Sequence, residues 1–201
     1  MQPVIYYEGE RIYFRPIEVE DAPLLQRWVN DPRVWSTMGM RGPINAAYER
    51  QWIEGRKPTA DDYMFGIVVK QTHQLVGACG LHRVCPINRK ATLGIMIGEV
   101  DQQNQGYGRE AVRLVLRFAF EELNLHRVEL AVFDHNPRAI RVYERAGFEL
   151  EGRFREAAYR HGRYHDELRY AVLRSKWLAS NNQASRRATL PEAGAAEVSR
   201  V

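Results

Sequence analysis

The sequence has little of what marks secreted, disulfide-stapled or membrane-spanning proteins. Its 201 residues include only two cysteines, Cys79 and Cys85, which are too few for a disulfide framework and match no zinc-binding spacing. No apolar run approaches the roughly 20 residues that a membrane span needs. Residues 1–8 contain no basic region followed by an apolar one, so we expect no secretory signal. These absences predict a cytoplasmic protein with free thiols and no membrane partner.

Charge of one sign is not in large excess either. The 29 basic and 25 acidic residues leave a formal net charge of +4, which suits an acidic ligand but does not by itself indicate a nucleic-acid-binding protein. A chain of this length is expected to form one domain that buries about 70% of its unfolded surface. We expect residues 1–179 to form that domain. Residues 180–201 have no hydrophobic periodicity and predict a disordered C-terminal tail.

Hydrophobic periodicity predicts a succession of strands and helices. Strands are predicted at residues 11–16, 63–69, 75–84, 91–97, 127–133, 148–159 and 164–173, and helices at residues 18–30, 46–54, 108–124 and 137–146. The strand–helix–strand unit across residues 91–133 indicates two parallel strands. The whole order predicts an α/β three-layer domain with a mixed sheet and helices on both faces.

The loop from Gln103 to Gly108 carries the strongest local signal. It reads Gln103-Asn104-Gln105-Gly106-Tyr107-Gly108 and opens the amphipathic helix predicted at residues 108–124. Two glycines allow the backbone to fold back so that several N–H groups point at one spot, and the helix dipole adds roughly +0.5 charge there. The loop is therefore a candidate phosphate or pyrophosphate site.

Dinucleotide-binding turns and ligand-free helix caps use similar glycines. Residues 106–111 satisfy Gly-x-Gly-x-x-Ala, and Asp134 after the next strand would suit a ribose. A dinucleotide turn, however, starts at the end of its strand, whereas seven residues separate Gly98 from Gly106. A Walker loop is excluded because the chain has no Gly-Lys-Ser/Thr at this place. A helix cap without a ligand remains an alternative for the loop alone.

Two segments together resemble the GNAT superfamily of acetyl-CoA-dependent N-acetyltransferases. Gln103-x-x-Gly106-x-Gly108 matches the family signature Gln/Arg-x-x-Gly-x-Gly/Ala. Residues 136–148 are similar to its Asn-x-x-Ala-x-x-x-Tyr-x-x-x-Gly-Phe segment, with Tyr143 as the tyrosine. The resemblance covers residues 11–177 and looks closest to the branch of ribosomal-protein and spermidine N-acetyltransferases. It implies a GNAT-like fold, whose mostly antiparallel sheet is splayed between the fourth and fifth predicted strands.

The resemblance implies acetyl-CoA as cosubstrate and no metal. The pyrophosphate would bind the N–H groups of the glycine loop, and the pantetheine arm would run between the splayed strands. The implied cofactor-binding residues are Met96, Ile97, Gln103, Asn104, Gln105, Gly106, Tyr107, Gly108, Arg109 and Asn136. An amine would attack the thioester directly, which agrees with the absence of a recognisable nucleophile–base pair.

Tyr143 and Glu99 are the catalytic candidates under this resemblance. Tyr143 would protonate the departing thiolate, a transfer that is uphill by about 2 kcal/mol for a phenol of ordinary pKa; its alternative is a core tyrosine. Relatives often carry a glutamate base where this chain has Thr92, which leaves Glu99, at the end of the same strand, as the candidate base. Its alternative is a solvated carboxylate. Because no general base is clearly identified, an α-amine, which loses its proton more easily than a lysine-like amine, is favoured as acceptor.

Two clusters near the last predicted turn suggest other functions. His161, His165, Asp166 and Glu167 are potential metal ligands, but alternation along a hairpin would scatter them. Arginines and aromatics across residues 153–164 would suit a nucleic-acid-binding module, whose affinity would fall steeply with salt. We favour a solvated hairpin over both.

The acceptor is predicted to be the amine of a small molecule or a protein N-terminus, and nucleic acid is disfavoured as a partner. Trp35, in a predicted loop, is the candidate aromatic of the acceptor pocket. A homodimer is compatible with the sequence.

Overall fold

The structure, a computed structural model, describes residues 4–39, 42–56 and 61–180. The tail predicted for residues 180–201 lies outside these residues, apart from Ser180, which belongs to a helical segment at residues 174–180. The prediction did not include this segment. Within the described ranges, no helix is both long and apolar enough to cross a membrane.

The described residues contain eight strands, which form one sheet. The strands are β1 (Tyr7–Glu8), β2 (Ile12–Arg15), β3 (Asp62–Val69), β4 (Leu75–Cys85), β5 (Lys90–Ile97), β6 (Arg127–Phe133), β7 (Glu149–Arg160) and β8 (Arg163–Leu173). Their order is β1-β2-β3-β4-β5-β6-β8-β7, and only β5 and β6 are parallel neighbours among them. The predicted mixed, mostly antiparallel sheet is confirmed. Strand β1 was missed because two residues show no periodicity.

The described part of the chain contains five α-helices before the helical segment at residues 174–180, and three of them lie between β2 and β3. The five helices are α1 (Ala22–Asn30), α2 (Pro32–Trp35), α3 (Ala46–Glu54), α4 (Tyr107–Arg117) and α5 (Pro137–Arg145). A 3₁₀ turn at Val19–Asp21 precedes α1, and a π-helical turn at Phe118–Glu122 follows α4. The predicted helix at residues 108–124 is thus an α-helix that widens in its last turn.

Helix α2 corrects the prediction of a loop around Trp35. The Asp31 carboxylate accepts a hydrogen bond from the N–H of Arg33 at 2.8 Å, and Pro32 occupies the first helical position, where its missing N–H costs nothing. Trp35 lies in the last turn of this helix. Four residues are too few for helical periodicity, which is why the pattern did not reveal it.

The helices cover both faces of the sheet, as predicted. Val112 and Val115 of α4 pack in one core with Phe14, while Trp28 of α1 packs in a second core with Tyr13. Tyr13 and Phe14 are neighbours on β2 and therefore point to opposite faces. The three layers predicted from the element order follow from this alternation.

Strands β5 and β6 pair at one end only. Lys90–Thr92 lie opposite Arg127–Glu129, after which the two strands part. The outer ladders continue, since β4 pairs with β5 up to Ile97 and β6 pairs with β8 up to Phe133. The expected splay therefore occurs between β5 and β6, which are the fourth and fifth predicted strands. Backbone groups of β5 beyond Thr92 have no strand partner on this side within the described chain.

Candidate active site

A cleft of about 630 Å³ lies where β5 and β6 separate. Residues 93–97 of β5 and 131–133 of β6 form its two long walls. The N-terminal end of α4 and one side of α5 close one face, and residues of the segment 34–39 border it elsewhere. We call residues 34–39 the covering segment. An extended ligand in this cleft would meet the unpaired edges of two strands along its length.

The glycine loop contributes the N-terminus of α4 to this cleft. Gly106 is the N-cap residue with a φ of +87°, and Asn104 also has a positive φ of +63°. The first N–H groups of a helix have no intrahelical acceptor, and Gly106 supplies no side-chain cap for those of α4. Asn104, Gly108 and Arg109 line the cleft beside it. The arrangement has the geometry of an anion-binding helix terminus, and anion binding at this loop stays a prediction.

Gln103 connects three parts of the site. Its side-chain Nε2 donates to the carbonyl of Ile97 at 2.9 Å, and its Oε1 accepts from Nη1 of Arg138 at 2.8 Å. The end of β5, the glycine loop and the start of α5 are thereby fastened together. Gln103 thus positions the loop in the free protein, in addition to the ligand contact implied by the family resemblance.

Gln105 and Tyr107 are the predicted cofactor-binding residues that do not line the cleft. The carbonyl of Gln105 accepts from Nη2 of Arg11 at 2.8 Å, and the Arg11 guanidinium lies 4.9 Å from the centre of the Tyr107 ring. Glu110 accepts from the backbone N–H of Arg11 at 2.7 Å. These contacts hold the outer side of the loop against the start of β2.

The remaining predicted cofactor-binding residues border the cleft. Met96 and Ile97 line it from β5, where the strand has left its parallel neighbour. Asn136 lines it from the end of β6, and its Oδ1 accepts from the N–H of Ala139 at 3.2 Å. Asn136 is therefore the N-cap of α5, while ligand binding by Asn136 stays a prediction.

Tyr143 lies on the cleft wall and on the buried side of α5. Its ring is 9% exposed and packs edge-to-face against Phe148, with 5.8 Å between ring centres. Burial raises the pKa of Tyr143 to about 12, because the phenolate would be poorly solvated. The phenol is therefore fully protonated at neutral pH, as a proton donor must be. The position of Tyr143 is compatible with both of its interpretations, core packing and catalysis.

The structure separates the predicted base from the cleft. Glu99 forms an ion pair with Arg27 of α1 at 2.6 Å and does not belong to the described lining residues. Among those residues the single carboxylate is that of Glu167, on β8. Glu167 lies opposite Phe133 in the sheet and pairs with Arg169 at 2.6 Å. The sequence presented Glu167 only as a potential metal ligand.

Three arginines of α5 were also missed as site residues. Arg138, Arg141 and Arg145 line the cleft together with Arg109 of α4. Their spacing of three and four residues places them on one side of a helix, which is the sequence signal that could have revealed them. This end of the cleft is strongly positive and suits a ligand with several phosphates.

The covering segment is held by residues from distant parts of the chain. His135 donates from Nε2 to the carbonyl of Ser36 at 3.1 Å, and Arg160 donates to the carbonyl of Met38 at 2.9 Å. Trp35 stacks on His161 at 6.0 Å between ring centres. Trp35 itself does not line the cleft in the described structure, whereas Val34 and Met38 do.

The histidines of the last hairpin do not gather as a four-residue group. His165 instead lies with Asp134 and His135, with potential ligand atoms within 4.8 Å of one another. Its Nδ1 contacts Asp134 at 3.0 Å, and Nε of Arg163 donates to its Nε2 at 3.2 Å. Both ring nitrogens of His165 thus have protein partners, and the group lies outside the cleft lining.

Two arginines of the hairpin make internal contacts. Arg153 pairs with Asp166 at 3.1 Å, and Arg160 is 5% exposed. The aromatic side chains of Phe154, Tyr159 and Tyr164 are exposed. Arg153, Arg155 and Arg163 are exposed beside them, so the nucleic-acid-binding alternative stays open on this hairpin.

Comparison with known proteins agrees with this geometry. Residues 11–149 match the family model described as acetyltransferase (GNAT) domain. The putative ribosomal N-acetyltransferase YdaF of Bacillus subtilis is 31% identical over 174 residues, which cover 84% of this chain and 94% of the relative. The spermidine N(1)-acetyltransferase of Vibrio cholerae is 35% identical over 112 residues, covering 56% of this chain and 64% of the relative.

Solved structures have a similar fold. The Vibrio cholerae spermidine N-acetyltransferase in complex with CoA and spermine superposes with a TM-score of 0.75 at 27% identity, covering 84% of this chain and 98% of that one. The family resemblance drawn from the glycine loop and the Tyr143 segment is thereby confirmed, including the branch with ribosomal and spermidine enzymes. The chain belongs to the GNAT family of acetyltransferases.

Proposed function

We propose that the cleft binds acetyl-CoA and transfers its acetyl group to the primary amine of a small molecule in the cytoplasm. The parting of β5 and β6 beyond Thr92, next to the N-terminus of α4, carries this proposal. The separated strands form an extended groove that leads directly to the candidate anion site at the N-terminus of α4. The solved relative that holds CoA and spermine has the same fold and supports it.

The pyrophosphate would bind at the first N–H groups of α4, around Gly106. The arginines on α5, among them Arg138 and Arg141, border the cleft near this end and would neutralise further phosphate charge. The arm would then extend along β5 past Met96, where the strand has no strand partner on the cleft side. Each hydrogen bond made there would replace one that the separated strands do not make.

Tyr143 would donate a proton to the sulfur as the thioester breaks. With a pKa of about 12, complete transfer to a free thiolate of ordinary pKa is uphill by about 5 kcal/mol. Proton donation therefore has to accompany cleavage of the carbon–sulfur bond rather than follow it.

Glu167 and Glu99 would handle the amine in different ways. Glu167 lines the cleft and, once its own ion pair with Arg169 opens, would bind the incoming ammonium and accept its proton, directly or through water. Glu99, the base predicted from sequence, would act only if its ion pair with Arg27 opened. Removing a proton at pH 7 costs about 1.4 kcal/mol for an α-amine but about 4.6 kcal/mol for a lysine-like amine.

A small acceptor is favoured by the covering segment. Contacts from His135, His161 and Arg160 fasten residues 34–39 at this border of the cleft, which favours a slender amine over a folded protein. The spermidine-acetylating relatives are consistent with this choice. A flexible protein N-terminus is the second candidate, because YdaF carries the description of a ribosomal N-acetyltransferase.

Two measurements test the proposal together. Acetyl-CoA should raise the melting temperature, because a ligand at 100 times its Kd stabilises the folded state by about 2.7 kcal/mol. Free-thiol release should then require an amine from a panel of polyamines, amino sugars, α-amino amides and N-terminal peptides. The absence of both signals, with no thermal shift and no CoA release for any of the four amine classes, would contradict the proposed reaction.

A further inference from the structure

His82 and Asp62 form a hydrogen-bonded pair on two neighbouring strands of the sheet. Nδ1 of His82 lies 2.6 Å from Oδ1 of Asp62, and the two residues are direct partners across β4 and β3. A carboxylate can only accept a hydrogen bond, so in the neutral imidazole the proton lies on Nδ1 and the lone pair on Nε2. Asp62 therefore fixes both the orientation and the tautomer of His82, as the carboxylate partner of a histidine base does.

Arg56 holds the same carboxylate from its other side. It follows α3, donates from Nη2 to Oδ2 of Asp62, and lies with its guanidinium 4.9 Å from the centre of the Trp52 ring. The two oxygens of Asp62 are thus divided between Arg56 and His82. The His82 side chain is 38% exposed, and its Nε2 has no hydrogen-bond partner among the described residues. This nitrogen is therefore available to accept a proton.

The available nitrogen of His82 lies against Gly94, which lines the cleft. A Cβ built on Gly94 would lie 2.9 Å from Nε2 and 3.1 Å from Cδ2 of His82, so the imidazole occupies the space of the missing side chain. Gly94 lies just beyond Thr92, the last residue of β5 that pairs with β6. His82 is therefore placed beside the inner end of the cleft, towards which the arm of acetyl-CoA would run along β5.

Thr92 is the residue directly opposite His82 on β5. The family resemblance places a glutamate base at this position, and threonine is not among the side chains that commonly act as general bases. Directly opposite residues share one face of a sheet, so His82 lies on the same face as Thr92. Leu81, the neighbour of His82, packs in the core that contains α4, and His82 therefore faces the opposite side, which α1 and α3 cover.

Acetylation of an ammonium acceptor requires the loss of two protons from its nitrogen. The first leaves before attack, and the second leaves after the carbon–nitrogen bond has formed and the nitrogen is positively charged again. The carbon–sulfur bond then breaks, and the sulfur takes a proton from Tyr143. One of the two nitrogen protons restores the Tyr143 phenol, and the other is released to solvent. Glu167 accounts for the first proton only.

We propose that His82, oriented by Asp62, accepts the second proton at Nε2 through one water beside Gly94. This role rests on the reaction proposed above. Glu167 borders the cleft from the side of β6, whereas His82 approaches it from the side of β5, so the two protons leave the nitrogen in different directions. Histidine is the side chain that most often serves as a general base, and the exposed part of the imidazole can pass the proton on to solvent.

His82→Gln tests this role, because the amide keeps a polar group near Asp62 but cannot accept a proton. With the amine that the wild-type protein acetylates fastest, kcat should fall by about 100-fold, while the Kd of acetyl-CoA and the circular dichroism spectrum stay unchanged. His126→Gln is the matched control. His126 is exposed and does not belong to the described lining residues, so this variant should retain the wild-type kcat.

Chemical rescue separates proton transfer from a structural role. His82→Ala leaves a space beside Gly94 that imidazole can enter, so added imidazole should restore formation of the acetylated amine in this variant. The same imidazole should not accelerate His126→Gln. The acetylated amine is measured by mass spectrometry, because imidazole itself attacks thioesters and releases CoA.

The outcomes distinguish this role from the reaction itself. An unchanged kcat in His82→Gln, or a loss in His82→Ala that imidazole does not recover, would overturn the role of His82 while acetyl transfer stands. A wild-type protein that acetylates no amine would overturn the proposed reaction and the role of His82 with it.

Discussion

The Trp28 indole lies directly against the backbone of Gly98. A Cβ at Gly98 would lie 2.1 Å from Cδ2 of Trp28, and its three nearest atoms all belong to this ring. Trp28 is 2% exposed and belongs to the core between the sheet and α1. Glycine at this position therefore allows α1 to approach the end of β5, next to the cleft.

Gly98→Ala should destabilise the fold by about 1–3 kcal/mol, the usual cost of forcing extra volume into a packed core. The buried ring has no free space into which to turn. Urea unfolding followed by tryptophan fluorescence measures the effect. Gly108→Ala is the matched control, because its Cβ would make an ordinary contact of 3.5 Å with Ile97. Equal stabilities of the two variants would contradict the packing.

Gly106→Ala should weaken acetyl-CoA binding several-fold with a smaller effect on turnover at saturation. An alanine in the left-handed region costs about 1–2 kcal/mol, and its Cβ would lie 2.9 Å from Nη2 of Arg11. Isothermal titration with acetyl-CoA gives the Kd. Gly162→Ala carries similar strain at a φ of +81° in the β7–β8 turn, and it should lower the melting temperature without changing that Kd.

Glu167→Gln should lower kcat/KM for the amine more than tenfold and leave the Kd of acetyl-CoA unchanged. The variant keeps the shape of the side chain but cannot accept a proton. Glu99→Gln is the matched comparison, since it neutralises a carboxylate near the end of β5 that Arg27 already binds. A larger loss in Glu99→Gln than in Glu167→Gln would restore the base predicted from sequence.

Tyr143→Phe should reduce kcat at least tenfold while acetyl-CoA affinity stays within twofold. The phenyl ring preserves packing against Phe148, so only the proton donor is lost. Stopped-flow measurement of CoA release under saturating acetyl-CoA and amine tests this. An unchanged rate would assign Tyr143 to the core alone.

The same variant has a consequence for stability at high pH. The folded-state pKa of Tyr143 is about 12, whereas an unfolded tyrosine titrates near ~10. The unfolded chain therefore loses this proton first, and unfolding becomes easier as pH rises from ~10 to ~12, by up to about 3 kcal/mol. Tyr143→Phe should show a shallower loss of melting temperature over this window. Parallel curves for both proteins would mean that burial does not raise this pKa.

The sequence predicted those features whose cause is local. Helix α4 and the Gly106 loop follow from periodicity and from glycine chemistry. Glu167 could not be placed in the same way, because its position depends on the pairing of β8 with β6. Pairing between strands that are distant in sequence leaves no recognisable pattern in the residues next to Glu167.

The covering segment illustrates the same limit. Its position depends on His135 and Arg160, which are about 100 residues or more away in the chain and meet Ser36 and Met38 only in the folded domain. For Glu99, the position near the end of β5 was predicted correctly. The ion pair with Arg27 of α1 was not visible, because it joins two elements that are distant in sequence.

The separation of β5 from β6 also sets a limit on how stable this domain can become. Beyond Thr92 the sheet forgoes the hydrogen bonds that a closed ladder would make. Substitutions that extend the pairing of β5 with β6 beyond Thr92 would produce a more heat-resistant protein whose cleft is closed to substrate. Selection for thermal resistance alone should therefore enrich changes along β5 and β6 that silence the enzyme, and selection for turnover should remove them.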